Sequence, residues 1–188
     1  MEFKKLSIEG LILATPKVYK DNRGYFFESF NQKKFNNYLG KEVNFVQDNQ
    51  SKSNRDTLRG LHFQKAPSAQ GKLVRVLEGE IFDVVVDLRL HSNTFGQSLS
   101  VILSSESFKT FYIPEGFAHG FQVTSNTATV FYKTTDFYNA DSEITLAWND
   151  PEIKVNWPNS KKPNLSKKDC SGLFLDILKK EIQGKTHD

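Results

Sequence analysis

The chain has 188 residues, enough for one all-β domain that buries roughly 70% of its unfolded surface. Its 25 basic and 22 acidic residues give a net charge of +3, too balanced for binding to nucleic acid driven by bulk charge, so no nucleic-acid partner is expected. A single cysteine, Cys170, excludes an internal disulfide and fits a reducing compartment. Residues 1–6 lack the apolar core of a signal peptide, and no run approaches the ~20 apolar residues of a membrane span. The expectation is a soluble cytoplasmic protein with no membrane partner.

Taken in order, the chain reads as many short strands separated by turn signals. Leu6–Thr15 is a β-type run closed by Pro16. Asp21-Asn22-Arg23-Gly24 is a turn, followed by the aromatic strand Tyr25-Phe26-Phe27-Glu28. Asn31–Leu39 is predicted to be a short helix, capped by Asn31, with Phe35 and Leu39 on one face and Gly40 as its end. Val43–Gln50 resumes extended structure. In Leu58–Gln64, alternation puts Leu58, Gly60 and His62 on one face and Arg59 and Leu61 on the other; Gly60 is a candidate bulge that would break this parity. Val74–Leu77 and Ile81–Leu88 flank Glu78-Gly79-Glu80, which reads as a tight hairpin. Ser98–Leu103, Thr110–Ile113, Gly120–Val123 and Thr127–Thr134 add strands, and Ile144–Trp148 precedes a turn at Asn149-Asp150-Pro151. Ser171–Ile182 has the apolar spacing of a C-terminal helix, with Ser171 as its cap. No repeat or linker divides the chain. One domain over 1–188 is expected, with its core at about 6–169 and a helical tail at 170–188, built as an all-β jelly-roll sandwich or barrel.

Three basic groups lie in segments that should be half buried: Arg59, His62 and Lys72. Burying them is costly unless something anionic pairs with them. There is no glycine-rich phosphate loop, dinucleotide fingerprint or serine nucleophile elbow, and Cys170 has no base beside it in sequence. Of the four histidines, His91 in a polar turn and His187 near the end of a charged tail are expected to be solvated, which leaves His62 and His119. A metal barrel would want His-x-His and a nearby Glu. Here the run is His62-Phe63-Gln64, followed by the cation Lys72, so no metal is expected. Read alone, His119 fits a structural turn as well as a site, Tyr132 fits a core tyrosine, and Lys167-Lys168-Asp169 fits a solvated face.

The motifs Asp21-Asn22-Arg23-Gly24-Tyr25-Phe26-Phe27-Glu28, Gln47-Asp48-Asn49, Arg59-Gly60-Leu61-His62-Phe63-Gln64, Ala69-Gln70-Gly71-Lys72-Leu73-Val74, Ile113–Phe121 and Trp148–Pro151 occur in this order over Leu6 to about Asp169. In these the sequence closely resembles the dTDP-4-dehydrorhamnose 3,5-epimerases, cofactor-independent sugar-nucleotide epimerases of the cupin superfamily. The resemblance implies a dTDP-linked 4-keto-6-deoxy sugar as substrate, with acidic hydrogens at C3 and C5 flanking the ketone. It implies His62 as base, Asp169 as its partner, Lys72 beside the developing oxyanion and Tyr132 as proton donor on the far face. Arg23, Arg59 and Lys168 correspond to groups around the nucleotide and its pyrophosphate. Glu28, Gln47, Asp48, Asn49, His119 and Glu143 correspond to further substrate contacts, and Tyr138 to a ring stacked on thymine. No cofactor is implied. A homodimer is, with N-terminal strands exchanged so that Arg23–Glu28 completes the partner's site; exposed Leu11-Ile12-Leu13 and Tyr25-Phe26-Phe27 runs would agree with that. A C3-only or C5-only epimerase, or one acting on a related nucleotide sugar, shares nearly all these residues. A non-catalytic sugar-nucleotide-binding cupin would not need a base and an acid.

Overall fold

The computed structural model describes residues 1–183. Its elements run β1 (Glu2–Lys5), β2 (Ile12–Thr15), β3 (Val18–Asp21), β4 (Gly24–Phe27), α1 (Gln32–Leu39), β5 (Gln47–Asn54) and β6 (Leu58–Gln64). They continue as β7 (Lys72–Glu78), β8 (Glu80–Asp87), β9 (Ser98–Ser104), β10 (Thr110–Ile113), β11 (Phe117–Val123), β12 (Thr127–Thr134), β13 (Glu143–Thr145) and α2 (Leu175–Gln183). Two antiparallel sheets result: six strands in the order β1-β2-β10-β7-β12-β5 and five in the order β13-β6-β11-β8-β9, with β3-β4 as a separate hairpin. This is the expected all-β sandwich of the cupin kind, with short helices.

The two sheets face each other across one apolar layer, in which Val74, Val76, Phe111 and Val130 meet Ile81, Val85, Phe117 and Val123. The outer face of the five-stranded sheet is also buried: Leu61, Val84 and Val86 pack beneath Trp157 and the α2 residues Leu175 and Leu178. That double coverage explains why Val84-Val85-Val86 is uninterrupted apolar sequence. The outer face of the six-stranded sheet is covered in part by α1, whose Phe35 packs edge-on against Tyr112, with ring centroids 5.0 Å apart. The predicted caps of α1 hold, since Asn31 accepts from Lys34 N–H at 3.0 Å and Gly40 adopts φ 70°.

Four expectations need correction. Leu6–Thr15 is not one strand, because β1 and β2 form a hairpin through residues 6–11 and the extended backbone starts at Glu2. The Leu11-Ile12-Leu13 run is not an exposed edge: Leu11 and Ile12 are buried, and β2 pairs with both β1 and β10. Tyr25 and Phe26 of β4 are 61% and 71% exposed, as expected. The Glu78-Gly79-Glu80 turn does not close a hairpin, because β7 and β8 belong to opposite sheets. Gly79 (φ 77°) crosses so close to the β12 backbone that a Cβ would lie 2.0 Å from Thr127 O, and only glycine can make that crossing. Finally, α2 begins at Leu175 and is not capped by Ser171, which lies in a 3₁₀ turn at Asp169–Ser171. Asp150 Oδ2 accepts the Leu175 N–H at 2.7 Å, while its Oδ1 accepts from Glu152 and Ile153. One carboxylate thus closes the Asn149–Pro151 turn and starts the helix. His187 lies outside the described residues; His91 is exposed.

Candidate active site

Simple alternation would separate Arg59 from His62. The register against β11 shifts instead: His62 pairs with His119, and Arg59 pairs with Phe121. Three residues of β6 therefore span two of β11, a bulge that turns Arg59 and His62 to the same side while Leu58 and Leu61 stay in the outer core. Gly60 allows it, with φ 119° and a Cβ position 2.6 Å from Gly120 Cα.

The bulge brings both side chains into a cavity between the sheets. One lobe, about 280 Å³, reaches Tyr138 and Glu143; the other, about 250 Å³, reaches Arg59 and His119. Asn49, His62, Lys72 and Tyr132 line both. His62 Nε2–H donates to Asp169 Oδ1 at 2.7 Å, which leaves Nδ1 as the basic atom of the ring. Asp169 also accepts from Gly60 N–H at 3.1 Å and from Ser166 Oγ at 2.6 Å. Burial alone would raise this carboxyl, but the bonds from His62, Ser166 and Gly60 outweigh it and hold the pKa at about 2. Asp169 is a permanent anion beneath His62.

Lys72 is buried on β7 and donates from Nζ to the His62 carbonyl at 3.2 Å. Burial pushes its pKa down to about 8; Asp83 and Glu143 oppose the shift, and Lys168 adds to it. Tyr132, on the adjacent strand β12, is raised above the usual phenol range by burial and by Glu143, so it is protonated at neutral pH. Among the described residues its hydroxyl has no hydrogen-bond partner and no fully buried side-chain polar atom lacks one, so the hydroxyl opens into the cavity. The same holds for His119 Nδ1, because His119 Nε2–H is taken by both oxygens of Asp83, at 2.9 and 3.1 Å. Arg59 Nε donates to Ser53 Oγ at 3.0 Å. At the mouth, Glu143 Oε2 accepts from Tyr138 Oη at 2.7 Å and pairs with Lys168 Nζ. Among the described residues no three His, Cys, Asp or Glu side chains converge as metal ligands.

The fold thus gathers His62, Asp169, Lys72, Tyr132, Asn49, Gln47, Arg59, His119, Tyr138, Glu143 and Lys168 around one cavity. It does not bring in Arg23, Glu28 or Asp48 of the same chain. Arg23 pairs with Asp21 on the exposed hairpin, Glu28 pairs with Lys34, and Asp48 pairs with Lys133 on the outward side of β5. Sequence reasoning missed Asp83 and Ser166. A carboxylate inside the apolar run Ile81–Leu88 was a usable signal for Asp83; Ser166 carried none.

The sequence model of the family described as dTDP-4-dehydrorhamnose 3,5-epimerase matches residues 5–176. The chain belongs to this family. It is 51% identical to the dTDP-4-dehydrorhamnose 3,5-epimerase of Salmonella typhimurium over 92% of this chain and 94% of that protein. Among solved structures it is similar to the dTDP-6-deoxy-D-glucose-3,5-epimerase of Legionella pneumophila in complex with dTDP-4-keto-L-rhamnose, at 46% identity and TM-score 0.92, covering 96% of each chain. It is also similar to a 3'-monoepimerase from Streptomyces bikiniensis in complex with dTDP-quinovose, at 31% identity and TM-score 0.87, covering 95% of this chain and 89% of that one. The epimerase fold is therefore shared by enzymes that differ in how many centres they invert.

Proposed function

We propose that the protein inverts C3 and C5 of dTDP-4-dehydro-6-deoxy-D-glucose, giving dTDP-4-dehydro-L-rhamnose for dTDP-L-rhamnose biosynthesis, without a cofactor. The observation that supports this reading is a histidine nitrogen and a tyrosine hydroxyl on opposite walls of one cavity, neither with a hydrogen-bond partner among the described residues. His62 Nδ1 comes from the five-stranded sheet and Tyr132 Oη from the six-stranded sheet. His62 Nδ1 takes the proton alpha to the C4 ketone. The electron pair moves to the C4 oxygen, where Lys72 stabilises the enolate, and Asp169 stabilises the imidazolium. Tyr132 then protonates carbon from the other wall, inverting it. Solvent returns a proton to the phenolate and takes one from the imidazolium, so the net change is isomerisation.

In this reading Arg59 and Lys168 bind phosphate oxygens, Tyr138 stacks on the thymine, and His119, Asn49 and Glu143 bind the sugar side. The exposed aromatic β3-β4 hairpin reaches a second copy of the chain, so that Arg23 and Glu28 of one copy complete the site of the other. The location is the cytoplasm, which the single cysteine supports; no described helix is long and apolar enough to cross a membrane. Proton NMR of the substrate in deuterium oxide tests the chemistry. Exchange and inversion at both C3 and C5 are expected. Inversion at C3 alone would make the protein a monoepimerase, and no exchange at either carbon would leave it a binding protein.

A further inference from the structure

Four consecutive loop residues between β12 and β13 are each held by a glutamine side chain from elsewhere in the fold. Gln70 Nε2 donates to Asp136 O at 2.7 Å, and Gln64 Nε2 donates to Phe137 O at 3.2 Å. Tyr138 N–H donates to Gln47 Oε1 at 3.0 Å, and Asn139 N–H donates to Gln64 Oε1 at 2.9 Å. Gln64 Nε2 also reaches Ser68 O at 2.6 Å, tying in the loop before β7. The three glutamines come from β5, from the end of β6 and from that loop, and all three line the cavity. Apolar burial does little for the segment: Phe137 and Tyr138 are 63% and 57% exposed. A segment so exposed takes its order from its backbone bonds. A carboxamide suits the task, because one flat group carries donor and acceptor together. Gln64 can therefore hold the carbonyl of residue 137 and the N–H of residue 139 at once.

We propose that Gln47, Gln64 and Gln70 act as an amide clamp that pre-organises the Asp136–Asn139 loop and presents the Tyr138 ring at the cavity mouth as a fixed stacking platform for the nucleotide base. The proposal rests on the reading that Tyr138 stacks on the base. Both ends of Tyr138 are anchored, its N–H on Gln47 and its hydroxyl on Glu143 Oε2 at 2.7 Å. An aromatic surface already ordered in the free protein binds a base without the cost of ordering it at that moment. Gln47, expected as a substrate contact, becomes a positioning residue: its Oε1 is engaged by Tyr138 and its Nε2 by Asn49 Oδ1 at 2.9 Å.

A double-mutant cycle on dTDP binding, read by calorimetry with the full chain, tests this. Tyr138→Ala should weaken dTDP binding by about 10-fold, the usual worth of a stacked base. Gln64→Met keeps the length of the side chain and removes both loop bonds. It should weaken dTDP binding by about 5-fold beside Tyr138, but by no more than about 1.5-fold in the Tyr138→Ala background, the non-additivity of residues acting through one another. With the nucleotide sugar, KM should rise by more than kcat falls. An equal loss with and without the Tyr138 ring, or no loss at all, would overturn the clamp. If Tyr138→Ala alone leaves dTDP affinity unchanged, the stacking reading fails and takes the clamp with it, whereas exchange at C3 and C5 reports separately on the epimerase reading. Gln70→Met, at a partly exposed site with one loop bond, runs the same cycle if Gln64→Met does not fold.

Discussion

Asp169→Asn removes one charge and almost no volume, so it isolates what the carboxylate contributes. The asparagine can still accept from His62 and Gly60 through Oδ1, the atom both now use. The His62 tautomer and ring position therefore persist while the support for the imidazolium is lost. At the 2.7 Å separation of the pair, an effective dielectric of ~20 gives a gross attraction of about 6 kcal/mol, of which the amide dipole recovers a part. A net loss of about 3–5 kcal/mol corresponds to a fall in kcat on the order of 10²–10⁴, with KM little changed. The acid limb of stability gives an independent check. The native carboxyl is depressed from 3.8 to about 2, so its contribution is present above pH ~4 and is lost as pH falls through about 2. That contribution is worth about 2 kcal/mol, and the variant should lack it. Steady-state kinetics and thermal denaturation against pH measure both effects. A near-wild-type kcat would mean that another group stabilises the imidazolium and would refute the assignment.

Tyr132→Phe should keep deuterium wash-in at the substrate carbons while producing little inverted product, because His62 can only return a proton to the face it took it from; stability should change by less than about 1 kcal/mol, since the hydroxyl has no bond to lose among the described residues. Inversion at the wild-type rate would transfer the donor role elsewhere. Activity should fall as pH rises through about 8, where Lys72 loses the proton that makes it a cation for the enolate, and Lys72→Arg should move that limb upward even at reduced kcat. An unmoved limb would exclude Lys72 as its origin. Light scattering should give roughly twice the 21.5 kDa chain mass, and Phe26→Lys on the exposed hairpin should lower it toward one chain. A monomeric wild type would refute the exchanged-hairpin arrangement.

What could be read from the sequence depended on how far apart the interacting groups lie. The α1 helix was legible because Asn31, Phe35 and Gly40 act on their immediate neighbours. Gly79 announced a turn, but nothing local says whether a turn returns the chain to the same sheet or carries it to the opposite one. Gly60 marked where the parity of Arg59 and His62 would break, but the strand that meets it there, at Gly120, lies sixty residues away. Asp150 starts α2 from 25 residues upstream, so a local search for a cap settled on Ser171. The His62–Asp169 pair spans 107 residues, and only the resemblance to a family connected the two before the fold did. Asp83 was within reach of sequence reasoning, because a carboxylate among Ile81, Val84 and Val85 must be paired with something.

The layered fold bears on how one base could serve two carbons. In a sugar of the D-gluco configuration in its chair form, the hydrogens on C3 and C5 are both axial and lie on the same face of the ring. A single imidazole on one wall can therefore reach either by a small displacement of the ring, without turning it over. Lys72 and Tyr132 belong to adjacent strands of the opposite sheet, with Thr134 of β12 opposite Lys72 and Tyr132 opposite Val74. In the proposed mechanism the cation for the C4 oxygen and the acid for the new proton thus stand on one sheet and face the base on the other. From this, His62→Ala should abolish exchange at C3 and at C5 to the same extent, by a factor on the order of 10² or more at each. Changes that shift the ring while leaving His62 intact should affect the two positions unequally. Deuterium incorporation measured separately at the two carbons distinguishes these cases. Exchange that survives at one carbon in His62→Ala would show that a second base serves it, and His119, whose Nδ1 opens into the same cavity, would be the first residue to test.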